Sequence, residues 1–259
     1  MTIHITDARL HKHVLRALLP LILHDRFVVR GARSGRGLVC ISFDCENDED
    51  MKRLPSLLGA LKEANIIAGF ALRGDLVNQR PDLTRKILSE GHEIMNHSFS
   101  HPRKFSLVGE QMMRREVESF QELMRKKFGY TPKGFRAPHL MRKYDRNLFR
   151  ILQQNGLYDS SYVGTGVSLI DGVTEVPLTS CPDHPCVCFD YWHHFQLPLI
   201  RSSLTEFFKL WEILFAGGDF VNIFLDPRLT SDTLLSEMFK RVPRSYTFSQ
   251  LRNIAARSA

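Results

Sequence analysis

No stretch of this 259-residue chain stays apolar for the roughly 20 residues that a membrane-spanning helix needs. No internal repeat, low-complexity tract or linker divides it. Cysteine is scarce and odd in number: Cys40, Cys45, Cys181, Cys186 and Cys188. Five cysteines in a chain long enough for one large buried core argue against a disulfide scaffold and point to a reducing, cytoplasmic setting. Long Lys/Arg runs are also missing. The formal net charge is +7 and the pI about 9.3, but the basic residues are scattered. That pattern reads as a solvated basic surface, with no nucleic-acid face. What is present suits a soluble globular domain, with 43% hydrophobic and 24% charged residues.

Near the start, Arg9, Lys12 and Arg16 precede the apolar run Ala17-Leu-Leu-Pro-Leu-Ile-Leu23. This resembles a signal peptide, but His24-Asp25-Arg26-Phe27 stands where a small-residue cleavage site belongs. The expectation is a retained N-terminal helical extension over residues 1–35. A peripheral membrane contact through residues 9–23, at a membrane surface, is its alternative use. The Gly/Arg-rich stretch Arg30 to Gly37 separates this extension from a catalytic domain over 36–259.

Beyond it, short apolar runs alternate with helical patterns. Leu38 to Phe43, Ile66 to Leu72, His92 to Met95, Phe135, the stretch around Tyr158, Val173 to Val176 and Phe220 to Leu225 read as strands. Leu54 to Glu63, Asp82 to Glu90, a long helix with Met113, Val117, Phe120, Met124 and Phe128 on one face, Leu204 to Phe215 and Leu234 to Phe239 read as helices. The alternation predicts an α/β fold with a parallel sheet, open or closed into a barrel. Chemistry in such folds sits at the carboxyl ends of strands.

Three polar clusters follow strands directly. In Ser42-Phe43-Asp44-Cys45-Glu46-Asn47-Asp48 the carboxylates of Asp44 and Glu46 are two apart, on one side of an extended segment. In His97-Ser98-Phe99-Ser100-His101 two imidazoles four apart, on one helical turn, can converge on a metal ion. In Gly134-Phe135-Arg136-Ala137-Pro138-His139 the arginine can hold a carboxylate in a bidentate fork. Cys181-Pro-Asp-His184-Pro-Cys186-Val-Cys188, followed by His193 and His194, is dense in thiol and imidazole. It matches no zinc spacing and reads as a Pro-rich loop.

The order of these motifs, with Tyr158-Asp-Ser-Ser-Tyr162 after them, resembles the polysaccharide deacetylases of carbohydrate esterase family 4, which carry the NodB homology domain. The resemblance covers about residues 36 to 259 and is to the Asp-x-Glu variant of the first motif, because Cys45 occupies the usual second acidic position. It implies a distorted (β/α) barrel of the NodB type. It also implies a divalent metal ion, zinc being the expected one, on Glu46, His97 and His101. Asp44 is then the catalytic base, Arg136 orients it with Asp159 on the other side, and Tyr162 replaces the usual tryptophan. Pro138, His139 and Trp192, with Tyr191, would line the substrate groove. The implied activity is removal of an N-acyl group, acetyl first among them, from an amino sugar or glycan, whether free, polymeric or lipid-linked.

One motif departs from the family. Its last motif carries a histidine after a late strand, but Phe224-Leu225-Asp226-Pro227 puts Asp226 there. An aspartate can donate a proton if burial or neighbouring carboxylates raise its pKa. Otherwise His139, His193 or His194 must serve. The alternative reading is a sugar- or metal-binding protein on the same scaffold, weakly active or inactive.

Overall fold

A computed structural model describes residues 26–31, 38–184, 187–190, 203–216, 220–242 and 245–250. In chain order the strands are β1 (Val28–Arg30), β2 (Val39–Cys45), β3 (Gly69–Leu72), β4 (Glu93–Asn96), β5 (Gly134–Phe135), β6 (Tyr158–Asp159), β7 (Val163–Thr165), β8 (Ser168–Ile170), β9 (Val173–Glu175), β10 (Leu178–Thr179) and β11 (Val221–Leu225). The helices are α1 (Asp48–Glu63), α2 (Gly74–Gln79), α3 (Pro81–Ser89), α4 (Glu110–Phe128), α5 (Arg146–Gln154), α6 (Leu204–Ala216) and α7 (Asp232–Phe239). The main sheet runs β11-β2-β3-β4-β5-β6-β9-β8 and is parallel except where β8 meets β9. A second parallel sheet runs β1-β7-β10. This is a curled, parallel-rich α/β half-barrel, in line with the distorted barrel expected from the sequence.

Local chemistry sets the helix boundaries. The Asn47 side chain accepts from the N–H groups of Glu49 and Asp50, and three acids follow in the first turn, so α1 begins at Asp48 rather than at Leu54. Gly129, at φ +62°, closes α4 as a left-handed cap. The short elements α2, β1, β7, β8 and β10 lack a run long enough to show a period, whereas α5 buries Leu148, Phe149, Ile151 and Leu152 on one face and was missed in the sequence. Residues 28–30, assigned by sequence to a helical extension, instead pair with β7. Residues 1–25 and 32–35 of that extension, including residues 9–23, lie outside the described residues. No helix among the described residues is long and apolar enough to cross a membrane.

Inside the curl Cys40, Ala71, Met95, Tyr158, Val176 and Phe248 pack together. Beside them the interior is polar, with Ser42, Asp44, Arg136, Ser160 and Asn222 all buried. Asn222 on β11 reaches across the curl. Its Nδ2 donates to the carbonyls of Val176 (3.2 Å) and Pro177 (3.1 Å) and to Ser160 Oγ (3.2 Å), and its N–H donates to Thr179 Oγ1 (2.7 Å).

Asn222→Ala should therefore strand two carbonyls inside the fold. The expected loss is about 1–3 kcal/mol for each, read as a lowered urea midpoint with unchanged slope.

Candidate active site and metal centre

The pleat of β2 separates two roles. Val39, Ile41, Phe43 and Cys45 join Met51 and Leu54 in the core beneath the helices. Ser42 and Asp44 alternate with them and face inward. Cys45 thus serves packing, and burial pushes its thiol well up, away from thiolate chemistry.

Arg136 follows β5 and has no exposed side-chain surface. Its Nη1 donates to Asp44 Oδ1 (2.6 Å) and Ser42 Oγ (2.9 Å). Its Nε donates to the Ser160 carbonyl and its Nη2 to Ser160 Oγ, both at 3.1 Å. The rings of Phe224 and Phe248 lie 5.7 and 5.6 Å from its Cζ. Two expectations are corrected here. The contact with Asp44 is single, not a bidentate fork, because the rest of the guanidinium serves Ser160. Asp159 makes no hydrogen bond or ion pair with the arginine among the described residues. The pleat that turns Tyr158 and Ser160 inward turns Asp159 outward. There it accepts from the Ser160 N–H (2.9 Å) and from the Ser161 hydroxyl, with Glu175 close by. Burial and the charge of Asp159 push Glu175 well up.

The segment from His97 to His101 is a loop and not the helical turn read from the spacing. Ser98 and His101 have φ of +63° and +57°, which turns the chain back on itself. Asn96 Oδ1 accepts from the Ser98 N–H (2.9 Å), Ser98 Oγ from the His101 N–H (3.0 Å), and buried Glu116 from the Ser100 N–H and Oγ (2.7 Å each). Gly74, at the start of α2, donates to the Ser98 carbonyl, and a Cβ on it would lie 2.7 Å from the Phe99 ring. The loop is thus over-determined, as residues held at positive φ require.

The result brings Glu46 Oε1 to 3.5 Å from His97 Nε2 and 3.2 Å from His101 Nε2. The three ligand atoms lie within 4.8 Å of one another, the one such group among the described residues. His97 Nδ1 lies 2.8 Å from the Arg136 carbonyl, which can only accept, so the proton is on Nδ1 and the Nε2 lone pair faces Glu46. Both Nε2 atoms are buried without a hydrogen-bond partner. Burial raises the Glu46 carboxyl, but His101 and His97 close beside it outweigh that and hold it well below the ordinary range. Two imidazoles and a carboxylate converging with unsatisfied nitrogens fit a divalent cation with an open position left over.

Asp226 lies just past β11, where Leu225 pairs with Phe43, and so stands beside Asp44. Burial, then the charges of Asp44, Glu46 and Asp50, push it up to about 8. The exposed His139 ring stands 4.9 Å from that of His101, and its N–H makes no hydrogen bond among the described residues. His139 and Leu140 both have positive φ, +59° and +60°, just after buried Pro138. Tyr162 belongs to the core and stacks on Phe149. Cys181 and His184 are in contact, Sγ to Nδ1 3.7 Å, but burial pushes that thiol up to about 12. Tyr191, Trp192, His193, His194 and Cys186 lie outside the described residues. Sequence reading missed Ser42, Ser160, Glu175 and Asn222. Each is a polar residue in or beside an apolar strand run, which is the signal that could have found them.

The sequence profile of the family described as Polysaccharide deacetylase matches residues 32–159. A peptidoglycan-N-acetylglucosamine deacetylase of Bacillus cereus is 34% identical over 101 residues, which are 39% of this chain and 36% of that protein. The chain thus spans just over a third of that relative's length. Among solved structures, one assigned as a polysaccharide deacetylase of Mycobacterium smegmatis superposes with a TM-score of 0.73 at 19% identity, over 90% of this chain and 96% of that one. A carbohydrate esterase family 4 pseudoenzyme of Bacillus anthracis gives 0.58 at 14% identity, over 88% and 70%. At these identities the two structures share the fold alone. The motif order, the curled sheet and the profile match agree, and through residues 32–159 the chain belongs to the polysaccharide deacetylase family.

Proposed function

We propose that this protein is a metal-dependent hydrolase that removes an N-acetyl group from an amino sugar within a glycan. The observation that carries this reading is the convergence of Glu46, His97 and His101 beside a buried Asp44 held by Arg136. The name of the Bacillus cereus relative supports an N-acetylglucosamine-type substrate. A divalent ion, zinc by preference, on Glu46 Oε1, His97 Nε2 and His101 Nε2 would polarise the amide carbonyl and acidify the attacking water. Asp44 Oδ2 makes no hydrogen bond among the described residues and is available to take the proton of that water. Arg136 fixes the direction of Asp44. The His139 N–H is available to the oxygen that gains charge as the carbonyl carbon becomes tetrahedral. Asp226, protonated, would give its proton to the departing nitrogen, so that water and amide become acetate and free amine.

Asp226 in place of histidine also favours a second reading, a sugar- or metal-binding protein with little turnover. Release of acetate from a panel of N-acetylated oligosaccharides, with metal added, separates the two. Activity in the wild type supports the hydrolase. Activity in Asp226→His alone supports the binding protein.

Three outcomes are expected. First, the purified chain should hold about one divalent ion, and the double variant His97→Ala, His101→Ala should hold none by elemental analysis. Second, Arg136→Lys keeps a cation but cannot serve both Asp44 and Ser160. Its kcat should fall about 100-fold with a much smaller change in KM, provided its melting curve stays cooperative. Third, Asp226 should set an alkaline limb, because a donor is lost as pH rises through its pKa. A neighbouring cation would pull that limb below about 8. In chelator-treated protein the folded state keeps a proton that the unfolded chain, with a pKa of about 3.9, has released. Stability should then fall as pH rises from about 4 to about 8, and Asp226→Asn should flatten this slope.

A further inference from the structure

Glu46 is one residue past the end of its strand, in a segment with no sheet partner to hold it. Its peptide is nevertheless gripped on both sides. The N–H donates to Asp50 Oδ2 (3.0 Å) and the carbonyl accepts from Arg73 Nη1 (2.8 Å). Arg73 is itself tied to Asp75, with Nε 2.7 Å from Oδ1. Asp50 has no exposed side-chain surface, an unusual state for a carboxylate in the first turn of a helix. Its other contacts go to the far loop. Oδ1 accepts from the Arg228 N–H (3.1 Å) and Oδ2 from Arg228 Nη1 (2.9 Å). Arg228 lies two residues after Asp226. One buried carboxylate therefore joins the loop after β2, which carries Glu46, to the loop after β11, which carries Asp226. These strands pair only up to Phe43 and Leu225, so the ladder ends before either loop begins.

From this geometry we infer that Asp50 is a positioning residue. Together with Arg228 and Arg73 it fixes the Glu46 backbone, so that a side chain with three torsions delivers its oxygen to the two imidazoles. This rests on the reading that Glu46, His97 and His101 hold a cation. Helix capping does not account for Asp50, because Asn47 already caps α1 and Asp50 makes its bonds to Glu46 and Arg228. Partners that orient a metal ligand in this way are commonly worth 10- to 100-fold in metal affinity.

The test uses Co2+ as the probe, with affinity read by titration calorimetry and ligand geometry by the visible absorption of the bound ion. In Asp50→Asn one side of the bridge faces an amide N–H where it needs an acceptor. Binding should weaken about 10- to 100-fold, with an altered spectrum. The control is Glu93→Gln. Glu93 is also a buried carboxylate, bound to Tyr158 and Ser249 at the amino end of β4, and its loss should lower the melting temperature without moving Co2+ affinity or spectrum. If Asp50→Asn does not fold, Arg228→Gln decides, since its side chain is 28% exposed and its N–H contact to Asp50 survives. It should weaken Co2+ several-fold. Affinity and spectrum unchanged in the folded Asp50 variant, or in Arg228→Gln where that variant decides, would overturn the inference. So would a loss of equal size in Glu93→Gln, which would make the effect one of general stability. A wild-type chain that binds no Co2+ would overturn the cation reading itself, and that result is distinct from a variant that binds as tightly as wild type.

Discussion

The structure is organised around a guanidinium with no access to water. Arg136 cannot shed its charge, and a buried cation is tolerated only when its donors are satisfied and an anion stands beside it. Asp44 supplies the anion and Ser42 and Ser160 the remaining acceptors, while the Phe224 and Phe248 rings cover its flanks. A curled parallel sheet is usually filled by branched apolar side chains. Here the upper half of the interior is polar because the arginine demands it. Asn222 belongs to the same network through Ser160, so the ion pair and the closure of the curl depend on one another.

That buried pair needs a dry floor. The segment 245–250 provides it from below. Ser245 bridges to Val39 and its Oγ accepts from the Ile67 N–H, Phe248 is wholly buried against Tyr158, and Ser249 is bonded to Glu93. The parallel strands then bring Asp44, Glu46, His97, Arg136 and Asp226 to a single edge, since β2, β3, β4, β5 and β11 all end there. The second sheet, whose β10 lies against β11, holds none of these groups.

The local electrostatics run against the global charge. The chain carries a formal +7, yet Asp44, Glu46, Asp50 and Asp226 gather within one another's influence. Arg136 and Arg228 offset two of them. The remaining negative potential holds a proton on Asp226 and draws His97 toward its charged form. Both shifts reflect the negative potential of the clustered carboxylates, which a divalent cation would offset. Net charge averages over a surface and is blind to a buried cluster.

Much of this could be read before folding. Apolar runs and helical periods placed β2, β3, β4, β11 and the long α4 within a few residues, because burial on both faces of a strand or on one face of a helix leaves a periodic trace. The motif residues at strand ends were legible for the same reason, each being polar directly after an apolar run. Of the elements that escaped, β1, β7, β8, β10 and α2 are too short to carry a period, whereas α5 does carry an apolar face, Leu148, Phe149, Ile151 and Leu152, that went unread. By itself the sequence determined the strand–helix alternation, the family and the residue types brought to the site. Only the tertiary structure decided their pairings. The direction of a side chain depends on where the pleat begins, so Ser160 and not Asp159 meets Arg136. The conformation of the His97–His101 loop depends on Asn96, Glu116 and Gly74, so it is a strained loop and not a helical turn. The link between the Glu46 and Asp226 loops depends on Asp50, whose partner Arg228 lies 178 positions away in the chain, at a distance that no local pattern can encode.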